Sequence, residues 1–334
     1  MTEPLSLQDR PLAAQIVVAI PALNEAGFIA ECLLSLGVDA PELAEACFVV
    51  ADGGSTDGTV AIVTEMAKSR ANLHLLDNPA RLQSAGVNAV ATSSLANARE
   101  VLIRCDAHAL YPENYVLDLA ASLTGRDAAS VVVAMDAEGQ NCFAKGAAWI
   151  VDTPLGSGGA SHRGGTRSRY VDHGHHAAFE LDAFTKIGGY DATFSHNEDA
   201  EFDRRLSASG GKIWLDAETR LTYFMRATPR GLAKQYYNYG RGRMRTLKKH
   251  GDRPKLRQML PVALLAICVL SLLAGLVIHP WGFAGLLGYG VLLAMASLWI
   301  CARKRSVCGL WAGVALGVMH LSWAVGAVRM WLSR

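Results

Sequence analysis

The chain has 334 residues, a formal net charge of +2 and a hydrophobic fraction of 51%. That fraction is high for an ordinary soluble protein, and the length allows roughly two domains. Charged and apolar residues are mixed through about the first 230 positions, whereas about the last 75 contain long uncharged stretches. The composition therefore speaks against a uniformly soluble protein and predicts a soluble part followed by a membrane part.

The soluble part alternates short apolar runs with helical patterns, beginning with a strand predicted at 15–20 and a helix from about residue 25. A second strand at 46–51 ends at the sequence DGGSTDG, where Ser55 or Thr56 can cap a helix running to about residue 70. The pattern continues with strands at 73–76 and 100–105 and a helix at 83–95 between them. Repeated units of this size predict an α/β fold with a parallel sheet covered by helices.

Three of the predicted strands end in polar loops, which read PALNE, DGGSTDG and DAH. Because ligands bind beyond the carboxyl ends of the strands in such sheets, these polar groups should gather along one edge. Asp52 leaves its strand where a carboxylate can accept hydrogen bonds from a base or a ribose, and Gly53 and Gly54 let a ligand approach the backbone. The alternative is that these aspartate and glycine residues only form turns.

Asp106 and His108 form a candidate metal site. In an extended segment, residues i and i+2 point the same way, so the carboxylate and the imidazole can face one divalent ion. Oxygen ligands suit Mg²⁺, and a nitrogen ligand shifts the preference toward Mn²⁺. Two protein ligands leave coordination positions for a diphosphate. Alternatively, Asp106 caps the turn before Tyr111 and His108 is a surface residue.

The segment FSHNEDAEFDRRL at 194–206 is predicted to be a loop entering a helix, with four carboxylates near the helix start. The helix dipole favours negative charge there, but capping accounts for only one or two carboxylates. A carboxylate crowded by like charges has a raised pKa, which suits a general base that takes a proton from a hydroxyl. The four residues are Glu198, Asp199, Glu201 and Asp203.

A long loop at 157–176 is rich in glycine and basic residues, which is typical of a mobile active-site loop. Its arginines can bind phosphate, and His173, His175 and His176 can bind a metal or an acceptor, although plain solvation of the loop is the alternative. Seven cysteines are scattered through the chain without a CxxC pair. This pattern predicts reduced thiols and a cytoplasmic catalytic part.

The C-terminal part contains three uncharged runs long enough to cross a bilayer, at 259–278, 281–302 and 307–328. Basic residues lie before the first run, at 241–257, and between the second and third runs, so both flanks should face the cytoplasm. Arg329 follows the third run and breaks this pattern. That residue leaves open a tilted, re-entrant or interfacial third segment.

A helix just before the membrane, at 235–245, combines tyrosines, which suit the membrane boundary, with arginines, which suit a diphosphate. It can hold a lipid-linked substrate through Gln235, Arg241 and Arg243, or it can act only as an interfacial anchor. The basic run abuts the membrane, so we expect a lipid bilayer as its partner and no nucleic acid. The predicted domains are a cytoplasmic catalytic domain at 1–230, interfacial helices at 231–257 and a transmembrane region at 258–334.

Several segments taken in order resemble a family 2 glycosyltransferase with a GT-A fold, over about residues 15–245. They are VVAIPALNE, VVADGGSTDGT, NPARLQSAGVNAVA, IRCDAHA, GGYDATFSHNEDAEFDRRL and QYYNYGRGR. The chain is most similar to the membrane-bound succinoglycan-type glucosyltransferases, which build bacterial exopolysaccharide on a lipid carrier. The resemblance implies inverting transfer from a UDP-sugar with a divalent cation, Mn²⁺ or Mg²⁺, at the bacterial inner membrane.

The resemblance also assigns roles to the matching positions. Asp199 matches the catalytic base with Glu198 beside it, Asp106 matches the first acid of the metal motif, and His108 stands where many members have a second aspartate. Gln235, Arg241 and Arg243 occupy the region of the Q-x-x-R-W motif of processive synthases, but no tryptophan follows, so processive synthesis is not expected. With His175 and His176 they form the predicted acceptor or diphosphate site. The nucleotide-sugar site comprises Pro21, Ala22, Leu23, Glu25, Asp52, Gly54, Arg81, Ser84 and Asp106.

The leading hypothesis is an enzyme that adds one sugar, glucose from UDP-glucose, to a polyprenyl-diphosphate-linked glycan. One alternative loads a sugar onto polyprenyl phosphate itself. A nucleotidyltransferase would be expected to carry a glycine-rich basic segment after the first strand, where this chain has PALNEAGF. A membrane scaffold that binds nucleotide sugar without turnover is the remaining alternative.

Overall fold

The computed structural model describes residues 12–160, 163, 166–175 and 177–333. The chain divides into two compact units, each made of two separate stretches of sequence. The first unit comprises Met1–Met135 and Gly165–Leu221, and the second comprises Asp136–Gly164 and Thr222–Arg334. The excursion at 136–164 therefore belongs with the C-terminal part of the chain.

Eight strands within the described residues form one mixed sheet, in the order β3-β2-β1-β4-β7-β5-β8-β6. They are β1 (Ile16–Ala22), β2 (Cys47–Asp52), β3 (Leu73–Asp77), β4 (Val101–Arg104), β5 (Ser130–Glu138), β6 (Arg169–Val171), β7 (Ala177–Glu180) and β8 (Ile213–Phe224). The first four strands pair in parallel, whereas β7 is antiparallel to β4 and to β5. The predicted α/β class is confirmed, with an antiparallel extension that the alternating pattern did not indicate.

Twelve α-helices lie in the described part of the chain. They are α1 (Ile29–Ser35), α2 (Thr59–Ala67), α3 (Gln83–Ala91), α4 (Tyr115–Thr124), α5 (Cys142–Val151), α6 (Pro154–Ser157), α7 (Leu181–Lys186), α8 (Glu198–Ala208), α9 (Pro229–His250), α10 (Leu256–Val277), α11 (Ala284–Lys304) and α12 (Trp311–Leu332). The helix predicted at 83–95 ends at Ala91, and α2 is capped by Gly58 in a left-handed conformation instead of by Ser55 or Thr56.

The core of the first unit is centred on the parallel strands. Every residue of β2 is buried, and so is every residue of β1 except Pro21. Because helices cover both faces, these strands are continuous apolar runs, which is why the sequence predicted them well. The register of the sheet pairs Ala22 with Asp52 and Asp52 with Asp77, so three strands end side by side.

The second unit contains three helices long and apolar enough to cross a membrane by length and composition. It also corrects the expectation of reduced thiols throughout. Cys142 opens α5 and Cys308 lies in the 3-10 turn before α12, and the two form a disulfide with their Cα atoms 4.6 Å apart. Packing between distant segments made this pair, so the spacing of cysteines along the chain gave no indication of it.

Candidate active site

The loops after β1 and β2 are joined by hydrogen bonds that hold them as one surface. The N–H groups of Asn24, Glu25 and Ala26 donate to side chains of the second loop, at distances of 2.8, 2.8 and 3.0 Å. The acceptors are Ser55 Oγ, Thr59 Oγ1 and Asp57 Oδ2. The candidate nucleotide residues Pro21, Ala22, Leu23 and Glu25 are therefore fixed against the loop that carries Asp52.

Asp52 is buried at the end of β2 and uses its two carboxylate oxygens differently. Oδ2 accepts hydrogen bonds from the N–H groups of Gly54 at 2.8 Å and Ser55 at 2.9 Å. Oδ1 is buried and has no hydrogen-bond partner among the described residues. An unsatisfied buried acceptor costs free energy, so an oxygen of this kind suits a ligand that donates a hydrogen bond.

Gly54 leaves room for the Arg81 side chain at this edge. It has φ of 82°, in the region that favours glycine, and a Cβ there would meet the Arg81 guanidinium at 3.2 Å. The segment from Asn78 to Arg81 is tied to β2, because the Asn78 N–H donates to the Asp52 carbonyl oxygen at 2.8 Å. Ser84, the second residue of α3, is buried at the same edge.

Asp106 follows β4 and is held from two sides. Its Oδ1 accepts a hydrogen bond from Gln83 Nε2 at the start of α3, and Arg104 Nη2 lies 3.4 Å from the same oxygen. His108 takes another direction, since its Nδ1 lies 3.1 Å from Glu25 Oε1 and its side chain is 60% exposed. Asp106 is thereby linked through α3 to the loop that adjoins Asp52.

Arg104 is a functional candidate that the sequence analysis missed. It is 2% exposed, and its guanidinium lies 3.7 Å from Glu198 Oε1 as well as near Asp106. The Tyr190 ring lies below it, with 5.8 Å between the ring centroid and Cζ. The available signal was an arginine inside the apolar strand VLIRC, since a buried charge needs partners. Arg104 connects the candidate metal carboxylate to the carboxylates of α8.

The carboxylates of α8 are paired with histidines of the segment before β7. His175 Nδ1 lies 2.8 Å from Asp199 Oδ2, and the other oxygen of Asp199 accepts the N–H of Ala200 at 2.7 Å. One helical turn later, His173 Nδ1 lies 2.6 Å from Asp203 Oδ2. The two histidines are two positions apart in an extended segment and therefore point the same way. The two aspartates are four positions apart in α8 and therefore share one face of the helix.

These contacts reverse the expected direction of the pKa of Asp199. Burial would raise it, but the hydrogen bond from His175 and the positive charges of His173, His175 and Arg104 hold the pKa of Asp199 well below its usual range. Burial raises the pKa of Glu198, and the neighbouring Asp199 adds to the rise. The prediction that crowding raises the pKa of the base was wrong for Asp199 and describes Glu198 instead.

Glu201 has a structural role in the same helix. It is fully buried, and Arg205 Nη2 and Nε contact its carboxylate at 2.7 and 3.0 Å. Arg205 also donates to the carbonyl oxygens of Ile187 and Gly189, both at 2.7 Å. This pair therefore anchors α8 to the loop that precedes it.

The remaining candidates lie elsewhere. His176 is outside the described residues, and Gln235, Arg241 and Arg243 belong to the second unit. Gln235 Nε2 donates to the hydroxyls of Tyr223 and Tyr239, and Arg241 lies over the Tyr237 ring at 5.8 Å. No cluster of three or more metal-ligating side chains occurs within the part of the chain that is described.

Comparisons with known proteins agree on one family. A profile described as Glycosyl transferase family 2 matches residues 17–188. A curated protein of Rhizobium meliloti (strain 1021), named Succinoglycan biosynthesis protein ExoA, is 42% identical over 96% of both chains. A Methanococcus voltae protein is 27% identical over 70% of this chain and 74% of its own. Its name is dolichyl N-acetyl-alpha-D-glucosaminyl phosphate 3-beta-D-2,3-diacetamido-2,3-dideoxy-beta-D-glucuronosyltransferase.

Among solved structures, the mannosyltransferase PcManGT from Pyrobaculum calidifontis, in complex with GDP-Man and Mn²⁺, superposes with a TM-score of 0.59. It is 15% identical and covers 95% of this chain and 87% of its own, so this likeness concerns the fold. The family profile spans the strands and loops that carry Asp52, Asp106 and His175, and the Rhizobium relative extends over nearly the whole chain. The chain is a glycosyltransferase and belongs to glycosyl transferase family 2.

Proposed function

We propose that this protein transfers one glucose, with inversion, from UDP-glucose to a polyprenyl-diphosphate-linked glycan at the cytoplasmic membrane face, in exopolysaccharide synthesis. The observation that carries the proposal is the buried Oδ1 of Asp52, which has no hydrogen-bond partner among the described residues, on the edge where Arg104 links Asp106 to Glu198, the neighbour of Asp199. The name of the Rhizobium relative supports exopolysaccharide as the product class.

In this proposal the donor nucleotide binds along the ends of β1 and β2. Asp52 Oδ1 accepts a hydrogen bond from the base or ribose, and the glycine at position 54 lets the ligand lie against the backbone. Arg81 is exposed beside Gly54 and supplies positive charge to the diphosphate. The residues proposed to line the nucleotide pocket are Pro21, Ala22, Leu23, Glu25 and Ser84.

A divalent cation fits this edge with Asp106 as its protein ligand. Mg²⁺ and Mn²⁺ in such sites are held by one or two carboxylates together with substrate phosphates, so a cluster of three side chains is not required. The Asp106 side chain is 15% exposed at the strand end, and Gln83 and Arg104 fix its orientation. When bound, the cation would offset the charge that develops on the leaving diphosphate. His108 remains a proposed second ligand that would have to leave Glu25.

The proton of the acceptor hydroxyl passes to Asp199 as the acceptor oxygen attacks the anomeric carbon. The bond from that carbon to the diphosphate oxygen breaks on the opposite face, and its electron pair leaves with UDP. Asp199 is 18% exposed, and its lowered pKa keeps it ionised, while the same shift makes it a weaker proton acceptor than an ordinary aspartate. His175 orients the carboxylate, and Glu198 lies beside Arg104.

The diphosphate of the lipid-linked acceptor would be held by the basic helix α9, through Gln235, Arg241 and Arg243, and His175 and His176 remain proposed contacts of the acceptor. This assignment rests on their chemistry, since guanidinium groups bind diphosphates in two-pronged fashion. The three apolar helices of the second unit support a place in the bacterial inner membrane, close to such a substrate.

Asp199→Asn tests the proposal in purified full-length protein with radiolabelled UDP-glucose and a lipid-linked oligosaccharide. We expect loss of transfer by at least about 100-fold, because general base catalysis contributes roughly 10²–10⁴. UDP affinity should stay within about twofold by calorimetry, because Asp199 does not contact the nucleotide in this proposal. Wild-type protein that binds UDP-glucose without turnover would favour the scaffold alternative.

A second candidate function is transfer onto polyprenyl phosphate itself. The name of the Methanococcus relative specifies a dolichyl-linked sugar phosphate, so an acceptor joined to its lipid by a single phosphate is also considered. Parallel assays with bare polyprenyl phosphate and with a lipid-linked oligosaccharide separate the two functions. Incorporation only with bare polyprenyl phosphate would replace the leading proposal.

A further inference from the structure

The third apolar helix, α12, differs from the other two in how much of it is covered by protein. In the most apolar window of each helix, the buried share is 6% for α10, 22% for α11 and 44% for α12. Long side chains project into solvent along α10, whereas small residues of α12 such as Ala312, Gly313 and Ala315 are buried. Something other than lipid therefore surrounds much of α12.

Other helices of the second unit provide this cover along its length. In its first half, Ala312, Ala315 and Met319 pack with α5, and His320 Nε2 lies 3.1 Å from the Leu155 carbonyl oxygen of α6. In its second half, α12 packs against α9 so closely that a Cβ at Gly240 would overlap the Trp323 carbonyl oxygen. A Cβ at Gly326 would likewise overlap the backbone of α9.

The partner helix α9 does not suit the bilayer interior. Between Gln235 and His250 it carries three arginines and two lysines, and each such charge costs about 2.5–3.5 kcal/mol at the centre of a membrane on insertion scales. Because the second half of α12 lies against α9 through the contacts at Gly240 and Gly326, that half shares the depth of α9. That depth is the charged boundary of the membrane.

Both ends of α12 lie at that boundary. Its start follows the basic residues Arg303–Arg305 at the end of α11, and Ser297 Oγ, two turns before that end, accepts the Gly313 N–H at 2.9 Å. Its end contacts Lys248, whose Nζ lies 3.5 Å from the Met330 carbonyl oxygen. Lys248 precedes α10 by a few residues, so it is on the side where α10 begins.

A third membrane crossing would produce a different contact pattern. A helix of 22 residues is about 33 Å long. If it ran antiparallel to α11 across the bilayer, its last turns would reach the connector between α10 and α11 near Trp281. The middle of α12 approaches the first part of α11, since His320 Nδ1 lies 3.2 Å from the Tyr289 hydroxyl oxygen, but the last turns of α12 leave α11. There, Ala327 packs with Met244 and Leu247 of α9, together with Val262 from the second turn of α10.

We propose that α12 is an interfacial helix that lies in the cytoplasmic leaflet of the bilayer, and that the chain crosses the membrane only twice, through α10 and α11. The surface left open on α12 fits the boundary between head groups and acyl chains. Trp311, Val314, Val325 and Leu332 are exposed on one stripe of the helix. Arg329 lies on the same stripe near the C-terminal end, where a basic side chain meets anionic head groups.

Cysteine accessibility in the full chain tests this topology without reference to catalysis, so its outcome is separate from that of the proposed function. Ser333→Cys marks the end of α12, and Trp281→Cys marks the connector of the α10–α11 hairpin. Intact spheroplasts and permeabilised membranes are treated with a membrane-impermeant maleimide, and the wild-type protein measures background labelling of the native cysteines.

We expect Cys at position 281 to be labelled in intact spheroplasts and Cys at position 333 to be labelled only after permeabilisation. The fluorescence of a green fluorescent protein fused to the full-length C-terminus gives an independent readout, because it folds in the cytoplasm and not after export through the general secretory route. Labelling of position 333 in intact spheroplasts, or a dark fusion that is present in the membrane, would establish a third crossing. Protection of position 281 in intact spheroplasts would show that the hairpin does not cross, and it would overturn the proposal as well.

Discussion

Replacing His175 with alanine tests how the geometry around Asp199 sets the pH dependence of transfer. His175 lies 2.8 Å from Asp199 and is 26% exposed, so its contact is only partly screened by water. A hydrogen bond to a charged group is worth about 1.5–3 kcal/mol. Because 1.36 kcal/mol corresponds to one pH unit, loss of this hydrogen bond should move the acid limb of the pH–activity profile upward by about one to two pH units.

The direction of this shift follows because the ionised form of Asp199 is the active one. A carboxylate with a depressed pKa keeps its charge until the pH falls through that pKa, so wild-type activity should persist to low pH. Without His175, burial of Asp199 is less well compensated, the pKa rises, and activity is lost at a higher pH. The assay is kcat/KM for transfer from radiolabelled UDP-glucose, measured from mildly acidic to neutral pH in full-length protein.

His173→Ala is the matched control, because His173 lies on the same segment but contacts Asp203. Its positive charge also lowers the pKa of Asp199, so a smaller shift of the acid limb is expected. If the two variants shift the limb equally, or if the limb of His175→Ala coincides with that of the wild type, the assignment of His175 as the residue that positions the base is refuted.

Three further predictions concern the cation, the fold and the helix packing. Asp106→Ala should weaken UDP-glucose binding by about tenfold or more in Mn²⁺ and leave it unchanged in EDTA, because a carboxylate ligand of the cation is lost. Calorimetry measures both affinities, and equal affinities of the variant and the wild type in Mn²⁺ would contradict the metal role. Arg205→Met should lower the free energy of unfolding by about 3 kcal/mol in denaturant titrations, since it removes the hydrogen bonds that Arg205 makes to the buried Glu201 carboxylate; an unchanged midpoint would contradict this. Gly240→Ala should reduce stability in detergent by about 1–3 kcal/mol through overlap with α12, whereas Gly290→Ala, which has open space, should have little effect; equal melting temperatures would mean that the helices separate at no cost.

The strands and the loops that follow them were predictable from sequence because each depends on local pattern. A strand buried on both faces must be apolar throughout, so the positions of β1 and β2 were predicted to within one or two residues. Asp52 and Asp106 could be placed at one edge because parallel strands bring their carboxyl ends together. The same reasoning did not predict β5, β7 and β8, whose antiparallel pairing adds a second half to the sheet.

The electrostatics of the site depend on contacts between distant segments, which no local pattern contains. Four crowded carboxylates at the start of α8 predicted a raised pKa, but His175 approaches from 24 positions away and Arg104 from β4, and together they lower the pKa of Asp199. The disulfide of Cys142 with Cys308 spans 166 positions and was equally hidden.

The hydropathy of the three apolar segments does not determine which of them face lipid. The sequence by itself determined that three segments are apolar and long enough to cross a bilayer, because transfer free energy depends on composition. Whether such a segment faces lipid or protein depends on which surfaces it meets after folding. In α12, small residues allow α5 and α9 to approach closely, so only the tertiary structure determined that much of this helix is covered by protein.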